Sequence, residues 1–318
     1  MINRHVLAVC LAVFMVLCAG SAFAQFGLQD GDDVTLSTDV NATAAAPQLF
    51  FAAPKTVDIG EPFLVRLTSS KVLEEVVVYW QGKEVMPGIS VWNNKHIAMA
   101  MLGTDVLNAK PGPMELVVTA SVDGVRRTFK KNVNVAAKTF PRQDLTLPKK
   151  MVTPPKKVYD RIASERKVIA KAKNTISPVR RWSLPLLRPV EGKVTSVYGL
   201  RRFLNKKPKN PHRGMDFSAP KGTPIKCVAD GKVILVGNHY YAGNSVYVDH
   251  GNGVVSMYFH MSEVKIKVGD TVQRGQILGL SGSTGRATGA HLHLSIGVLG
   301  KLVDPAPLFS HTADQFLE

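Results

Sequence analysis

The stretch Gly289-Ala290-His291-Leu292-His293-Leu294-Ser295-Ile296 alternates polar with branched apolar side chains. Strict alternation is the period of a β-strand, whose successive side chains leave opposite faces. His291, His293 and Ser295 then share one face, and Leu292, Leu294 and Ile296 share the other. Two imidazoles on a rigid surface backed by an apolar one suit a metal ligand beside a proton-transfer group. One face of this strand has to enter a sheet-based core while the other opens on a groove.

The neighbouring segments have the same character. From Pro185 onward, β-type runs follow at 192–198, 223–227, 231–237, 245–250, 254–260, 276–282 and 290–298, with turns at Ala229-Asp230-Gly231 and Gly251-Asn252-Gly253. They predict an antiparallel, mainly β domain over 186–310, followed by a tail, 311–318. Ser281-Gly282-Ser283-Thr284-Gly285 lacks the Gly-Lys-Ser/Thr ending of a phosphate loop and leads into a strand, so it reads as a flexible groove wall. Further upstream, runs at 49–53, 63–68, 76–80, 97–102, 114–122 and 125–135, with an Asp123-Gly124 hairpin, predict an immunoglobulin-like β-sandwich over 48–137. Between the two lies a basic connector, 138–185, with prolines at 148, 154, 155 and 178. There Thr153-Pro154 is a helix start, and Val158, Ile162, Ile169 and Ile176 fall near helical spacing up to Pro178. One amphipathic helix is expected, either as a solvated basic face packed on a neighbour or as a lid or anchor that covers the groove or contacts an anionic wall.

A chain of 318 residues has room for these two domains, and 45% hydrophobic with 20% charged residues excludes a disorder-dominated protein. The formal charge of +16 favours anionic surroundings, such as a wall polymer or a membrane surface. Residues 1–24 read as a signal peptide: Arg4 precedes an apolar run from Val6 to Cys18, and Ala22-Phe23-Ala24 is a small-x-small cleavage site. Residues 25–47 show no apolar period and read as a flexible leader. The expected location is therefore the periplasm or cell envelope, with membrane anchoring if the signal stays attached. Export, and a basic run without interleaved aromatics, argue against nucleic acid as a partner. Cys10 and Cys18 leave with the signal, so Cys227 has no internal disulfide partner and reads as a small buried hydrophobe.

His212-Arg213-Gly214-Met215-Asp216 sets a histidine and a carboxylate four apart, and Gly214 argues against a helix. On an extended segment i and i+4 share a face, and a His nitrogen with an Asp oxygen makes two of the ligands zinc commonly takes. His293 would supply a third, leaving the fourth position for water, as in catalytic zinc sites. In Ser256-Met257-Tyr258-Phe259-His260, alternation puts Tyr258 and His260 on one face and Met257 and Phe259 on the other, so His260 can point into the same groove. His239 and His311 have no such support, and His250, ahead of a Gly-Asn-Gly turn, reads as structural.

Taken in order, His-x-x-x-Asp, Tyr-x-His and Thr-Gly-x-x-Thr-Gly-x-His-Leu-His resemble the lysostaphin and LytM-type zinc endopeptidases of bacterial cell walls. The resemblance extends to Ser196-Val197-Tyr198-Gly199-Leu200-Arg201, Gly222-Thr223-Pro224-Ile225 and Val268-Gly269-Asp270-Thr271-Val272, and covers about Arg188 to Phe309. It implies a metallopeptidase domain with one zinc per chain, held by His212, Asp216 and His293, and a catalytic pair formed by His260 and His291. It also implies peptidoglycan peptides as the partner and hydrolysis of stem-peptide or cross-link bonds as the activity. The alternative is a catalytically silent wall-binding protein that activates another hydrolase, and all five site positions being filled argues against it.

Overall fold

The structure, a computed structural model, describes residues 34–38, 47–146 and 153–318. The signal peptide read at 1–24 lies outside the described residues, as does most of the leader. Among the described residues no helix is long and apolar enough to cross a membrane.

The N-terminal half is built from two sheets. One orders Leu49–Ala52, Pro62–Ser69, Lys95–Gly103 and Ile89–Trp92; the other contains Val34–Thr38, Val125–Ala136, Gly112–Val122, Leu73–Trp80 and Lys83–Val85, with Thr56–Asp58 alongside Val125–Ala136. Their inner faces meet through aromatic rings, Phe51 against Phe129 at 5.7 Å and Phe63 edge-on to Trp80 at 5.1 Å. Val34–Thr38 falls within the stretch read as a leader, yet it pairs antiparallel with Val125–Ala136. Its ladder uses backbone groups, which hydropathy does not register.

In the C-terminal half, β1 (Met215–Ser218), β2 (Gly231–His239), β3 (Gly243–Asp249), β4 (Val254–Met261) and β5 (His291–Val298) belong to one eight-stranded sheet. Its order is Val194–Ser196, β1, β5, β4, β3, β2 and Thr271–Val272, with Lys301–Val303 also paired to β5. β5 is thus flanked by β1 and β4, and its alternation holds: Leu292, Leu294 and Ile296 are fully buried. One hydrophobic core runs continuously from the N-terminal sheets through Trp182 and Leu186 to β5. Polar contacts follow the same seam. The Tyr198 hydroxyl donates to Leu302 O at 2.6 Å and accepts from Val106 N at 3.0 Å, and Arg213 pairs with Asp105 at 3.3 Å.

The connector contains the expected helix, α1 (Tyr159–Lys173), but it is shorter than the spacing predicts. Pro155 has an extended backbone, φ −62° and ψ 147°, and only a single 3-10 turn, Lys156–Val158, precedes Tyr159. Consecutive prolines bias Pro154 away from the helical region, which moves the start downstream. At the other end Asn174 Nδ2 donates to Ala170 O at 2.7 Å, leaving Ile176 outside the helix and exposed.

Candidate metal centre and active-site groove

Strand register assembles the site. In the β1–β5 pair Asp216 is the direct partner of His293, and in the β4–β5 pair His293 faces Phe259. The His293 ring stacks on Phe259 at 5.1 Å with an interplanar angle of 4°. His212, four residues before Asp216, completes the cluster. Its Nε2 lies 3.1 Å from Asp216 Oδ1 and 3.0 Å from His293 Nδ1, while His293 Nδ1 lies 2.7 Å from the same oxygen. Close approach of the chains requires Gly214: a Cβ there would stand 2.5 Å from Leu294 O and 2.6 Å from His293 Nε2.

Hydrogen bonds on the outer side fix what these atoms offer. His212 Nδ1 lies 2.9 Å from Val197 O, and because a carbonyl only accepts, that nitrogen carries the proton and Nε2 presents a lone pair. The Ser295 hydroxyl donates to Arg213 O at 2.9 Å, so its oxygen accepts from His293 Nε2 at 2.8 Å and His293 Nδ1 is the unprotonated nitrogen. Burial pulls the His293 pKa down to about 4, keeping the ring neutral near pH 7. Arg202 Nη2 adds a charge-assisted bond to Asp216 Oδ2 at 3.0 Å. Two nitrogen lone pairs and a carboxylate oxygen therefore converge within about 3 Å with no proton of their own to share. That arrangement suits a cation, and the set of two imidazoles and one carboxylate fits zinc.

Beside the cluster stand His260 and His291, with ring centroids 4.7 Å apart. His291 Nδ1 donates to Gly289 O at 2.9 Å, which turns Nε2 toward Asp216 Oδ1 at 4.0 Å. His260 Nδ1 donates to Thr284 O at 2.8 Å, and burial lowers its pKa to about 4. His260 does not reach the groove by alternation with Tyr258. Tyr258 is fully buried in the core, its hydroxyl accepting from Val228 N at 3.0 Å, whereas Met257, Phe259 and His260 all line the groove. The cause is a bulge: between its pairings with Tyr258 and Met261, β3 supplies one residue where β4 supplies two, and His260 takes φ +64°. Bulges re-aim side chains in this way, and a left-handed backbone at a residue other than glycine marks a held, strained position.

The groove encloses about 850 Å³ and brings together all five residues singled out in the sequence. α1 forms one of its walls through Ile162, Glu165 and Ile169. Glu165 secures that wall, with Oε2 accepting from Tyr240 N at 2.8 Å and Oε1 from Arg161 at 2.7 Å. The segment read as a flexible wall is tied down instead: Asn244 N donates to Thr284 Oγ1 at 3.0 Å, and Thr284 Oγ1 donates to Met261 O at 2.8 Å. Sequence reasoning missed Arg202, whose only signal is the Arg201-Arg202 pair after Gly199, and Arg286, four residues upstream of Ala290. His239 lines the groove as well, bonded to Ser245 Oγ at 2.7 Å. His250 is structural as expected: its ring bonds Asp230 O and Ser256 Oγ, each at 2.7 Å, and its backbone N–H donates to Val254 O at 2.8 Å across the turn.

Residues 210–305 match the model for Peptidase family M23. The segment is 49% identical over 94 residues to the peptidoglycan DD-endopeptidase ShyA of Vibrio cholerae, covering 30% of this chain and 22% of that one. It is 37% identical over 113 residues to the DD-carboxypeptidase/endopeptidase Mpg of Neisseria meningitidis, covering 36% of this chain and 26% of that one. The chain thus spans about a quarter of the length of these curated relatives. A crystal structure from Pseudomonas aeruginosa assigned to peptidase M23 superposes with a TM-score of 0.57 at 34% identity, covering 74% of this chain and 87% of that one. That coverage exceeds what the residues from 186 onward amount to, so the likeness takes in part of the N-terminal half. With the His-x-x-x-Asp and His-x-His elements converging in one groove, the chain belongs to Peptidase family M23.

Proposed function

We propose that this protein is an exported zinc endopeptidase, holding one zinc per chain, that hydrolyses peptide bonds in peptidoglycan stem peptides or cross-links in the periplasm or cell envelope. The observation that carries this reading is the convergence of lone pairs from His212 Nε2, His293 Nδ1 and Asp216 Oδ1, each ligand held from behind by Val197 O, Ser295 or Arg202. The names of ShyA and Mpg support a peptide bond between D-amino acids as the target. Zinc, when bound, supplies Lewis acidity, lowering the pKa of water to about 7 and polarising a carbonyl.

The chain's own groups do the rest. Nδ1 of both His260 and His291 is committed to a backbone carbonyl, so the proton-transfer atom of each ring is Nε2. One Nε2 accepts the proton of the attacking water, and the other donates to the developing oxyanion or the leaving amine. The Phe259 ring stacked on His293 keeps bulk water from that side of the cluster. A silent wall-binding role gains no support from a site in which every position is filled and oriented.

Mass spectrometry of fragments released from purified walls tests the reading. The expected products are peptides with new amino and carboxyl ends and intact glycan, and His293→Ala should release none. Cleaved glycan, or fragments from His293→Ala at the wild-type rate, would overturn it.

A further inference from the structure

The loop 284–290 orients both proton-transfer residues. The Thr284 carbonyl receives His260 Nδ1–H and the Gly289 carbonyl receives His291 Nδ1–H. Between these two points lies Arg286. Its backbone N–H donates to Tyr241 O at 2.9 Å, and its guanidinium carbon sits 4.6 Å from the centroid of the Tyr241 ring. Gly285, at φ +74°, lets the loop press onto the Tyr241–Gly243 turn, where a Cβ would stand 2.3 Å from Gly243 N. The backbone of Arg286 is therefore held between the two carbonyls that orient His260 and His291, and its guanidinium packs on the Tyr241 ring.

The charge itself is unmatched. Arg286 lines the groove and is exposed along it, yet surrounding atoms desolvate it enough to pull its pKa below the ordinary guanidinium value. Of the other arginines lining the groove, Arg202 pairs with Asp216 and Arg213 with Asp105, while Arg166 belongs to α1 and not to the loop that orients the two histidines. Glu165, a carboxylate along the same groove, is bonded to Arg161 and Tyr240 N. Among the described residues the contact recorded for the Arg286 guanidinium is the Tyr241 ring, and no carboxylate meets it. A planar guanidinium fixed on an aromatic face, with its N–H edge open to a groove, matches a carboxylate by two parallel hydrogen bonds.

We propose that Arg286 binds a free carboxylate of the peptide being cut and thereby sets the position of that peptide relative to His260 and His291. The inference rests on the endopeptidase reading and names the feature of the substrate that the groove selects. Amidation of such a carboxylate removes its charge while leaving its shape nearly unchanged, so it isolates the interaction.

The test compares two synthetic cross-linked stem peptides, one with its side-chain and terminal carboxylates free and one fully amidated. Full-length zinc-loaded wild type, Arg286→Gln and Arg286→Lys are assayed on both. Wild type should cleave the free-carboxylate peptide with a KM about 10- to 100-fold lower than the amide, the range expected for a charge-assisted pair. Arg286→Gln should lose that preference, and Arg286→Lys, keeping a cation without the fork, should retain part of it. Wild-type indifference to amidation, or equal losses on both peptides in Arg286→Gln, overturns the proposal. Calorimetric binding of the same peptides to the same proteins separates the two readings. If wild type cuts neither peptide the endopeptidase reading fails, whereas the Arg286 proposal stands or falls on whether wild type prefers the carboxylate form and Arg286→Gln does not.

Discussion

At the scale of the residue, the centre depends on positions with no reactive group. Gly214 is the clearest, because β1 and β5 approach so closely that its missing Cβ leaves room for the His293 ring and for Leu294 O. Gly214→Ala has to displace backbone as well as an imidazole. It should cost about 1–3 kcal/mol of stability and weaken metal binding by about 10- to 100-fold, as when ligand support is lost. Zinc competition titration against a chromophoric chelator measures the second effect, and unchanged affinity would mean that β1 yields more readily than its contacts imply. The clustering of His212, Asp216 and His293 was legible in sequence, because His-x-x-x-Asp and the alternation around His293 are local patterns. Arg202 was not, since its bond to Asp216 spans fourteen residues and leaves no period to read.

At the scale of the element, β5 and α1 differ in how far sequence defines them. β5 is flanked by strands on both sides and fully buried on one face, so a one-residue slip would bury His293 and expose Leu294; alternation and register specify each other. The bulge in β4 escaped prediction because period-2 reasoning assumes an unbroken ladder, and the groove position of His260 arises where that ladder breaks. α1 was visible as a helix, but its place as a groove wall depends on Glu165 reaching Tyr240 N, a contact without a sequence signature. If this wall restricts entry of cross-linked wall material, Glu165→Ala in the full-length chain should raise the rate of wall digestion about tenfold, the population shift expected from losing charge-assisted bonds. Dye release from labelled walls checks this. An unchanged rate would make α1 a fixed part of the groove and not a barrier.

At the scale of the whole molecule, the continuous core ties both halves to one stability. His250 is fully buried, and burial lowers its pKa to about 4 from the ordinary imidazole value of 6.5. The unfolded chain then binds a proton between these values that the folded chain refuses. Stability is accordingly full above pH 6.5, falls as the pH drops toward 4 and loses no more from this group below that. The shift corresponds to on the order of 3 kcal/mol. Urea unfolding between pH 7 and 4 should show a shallower loss for His250→Gln than for wild type, and parallel curves would remove His250 as the cause. The mainly β character of the chain was legible from turn spacing, but the seam through Tyr198, Asp105 and Leu302 was not, because it joins residues about a hundred or more positions apart. The central claim is that His293 holds the metal while His291, on the same strand face, handles protons. Its most direct test is the zinc content of purified full-length protein beside that of His293→Ala and His291→Ala, each also assayed on walls. About one zinc per chain in wild type and in His291→Ala, none in His293→Ala, and no digestion by either variant is the predicted result. Zinc lost from His291→Ala and kept by His293→Ala would contradict it.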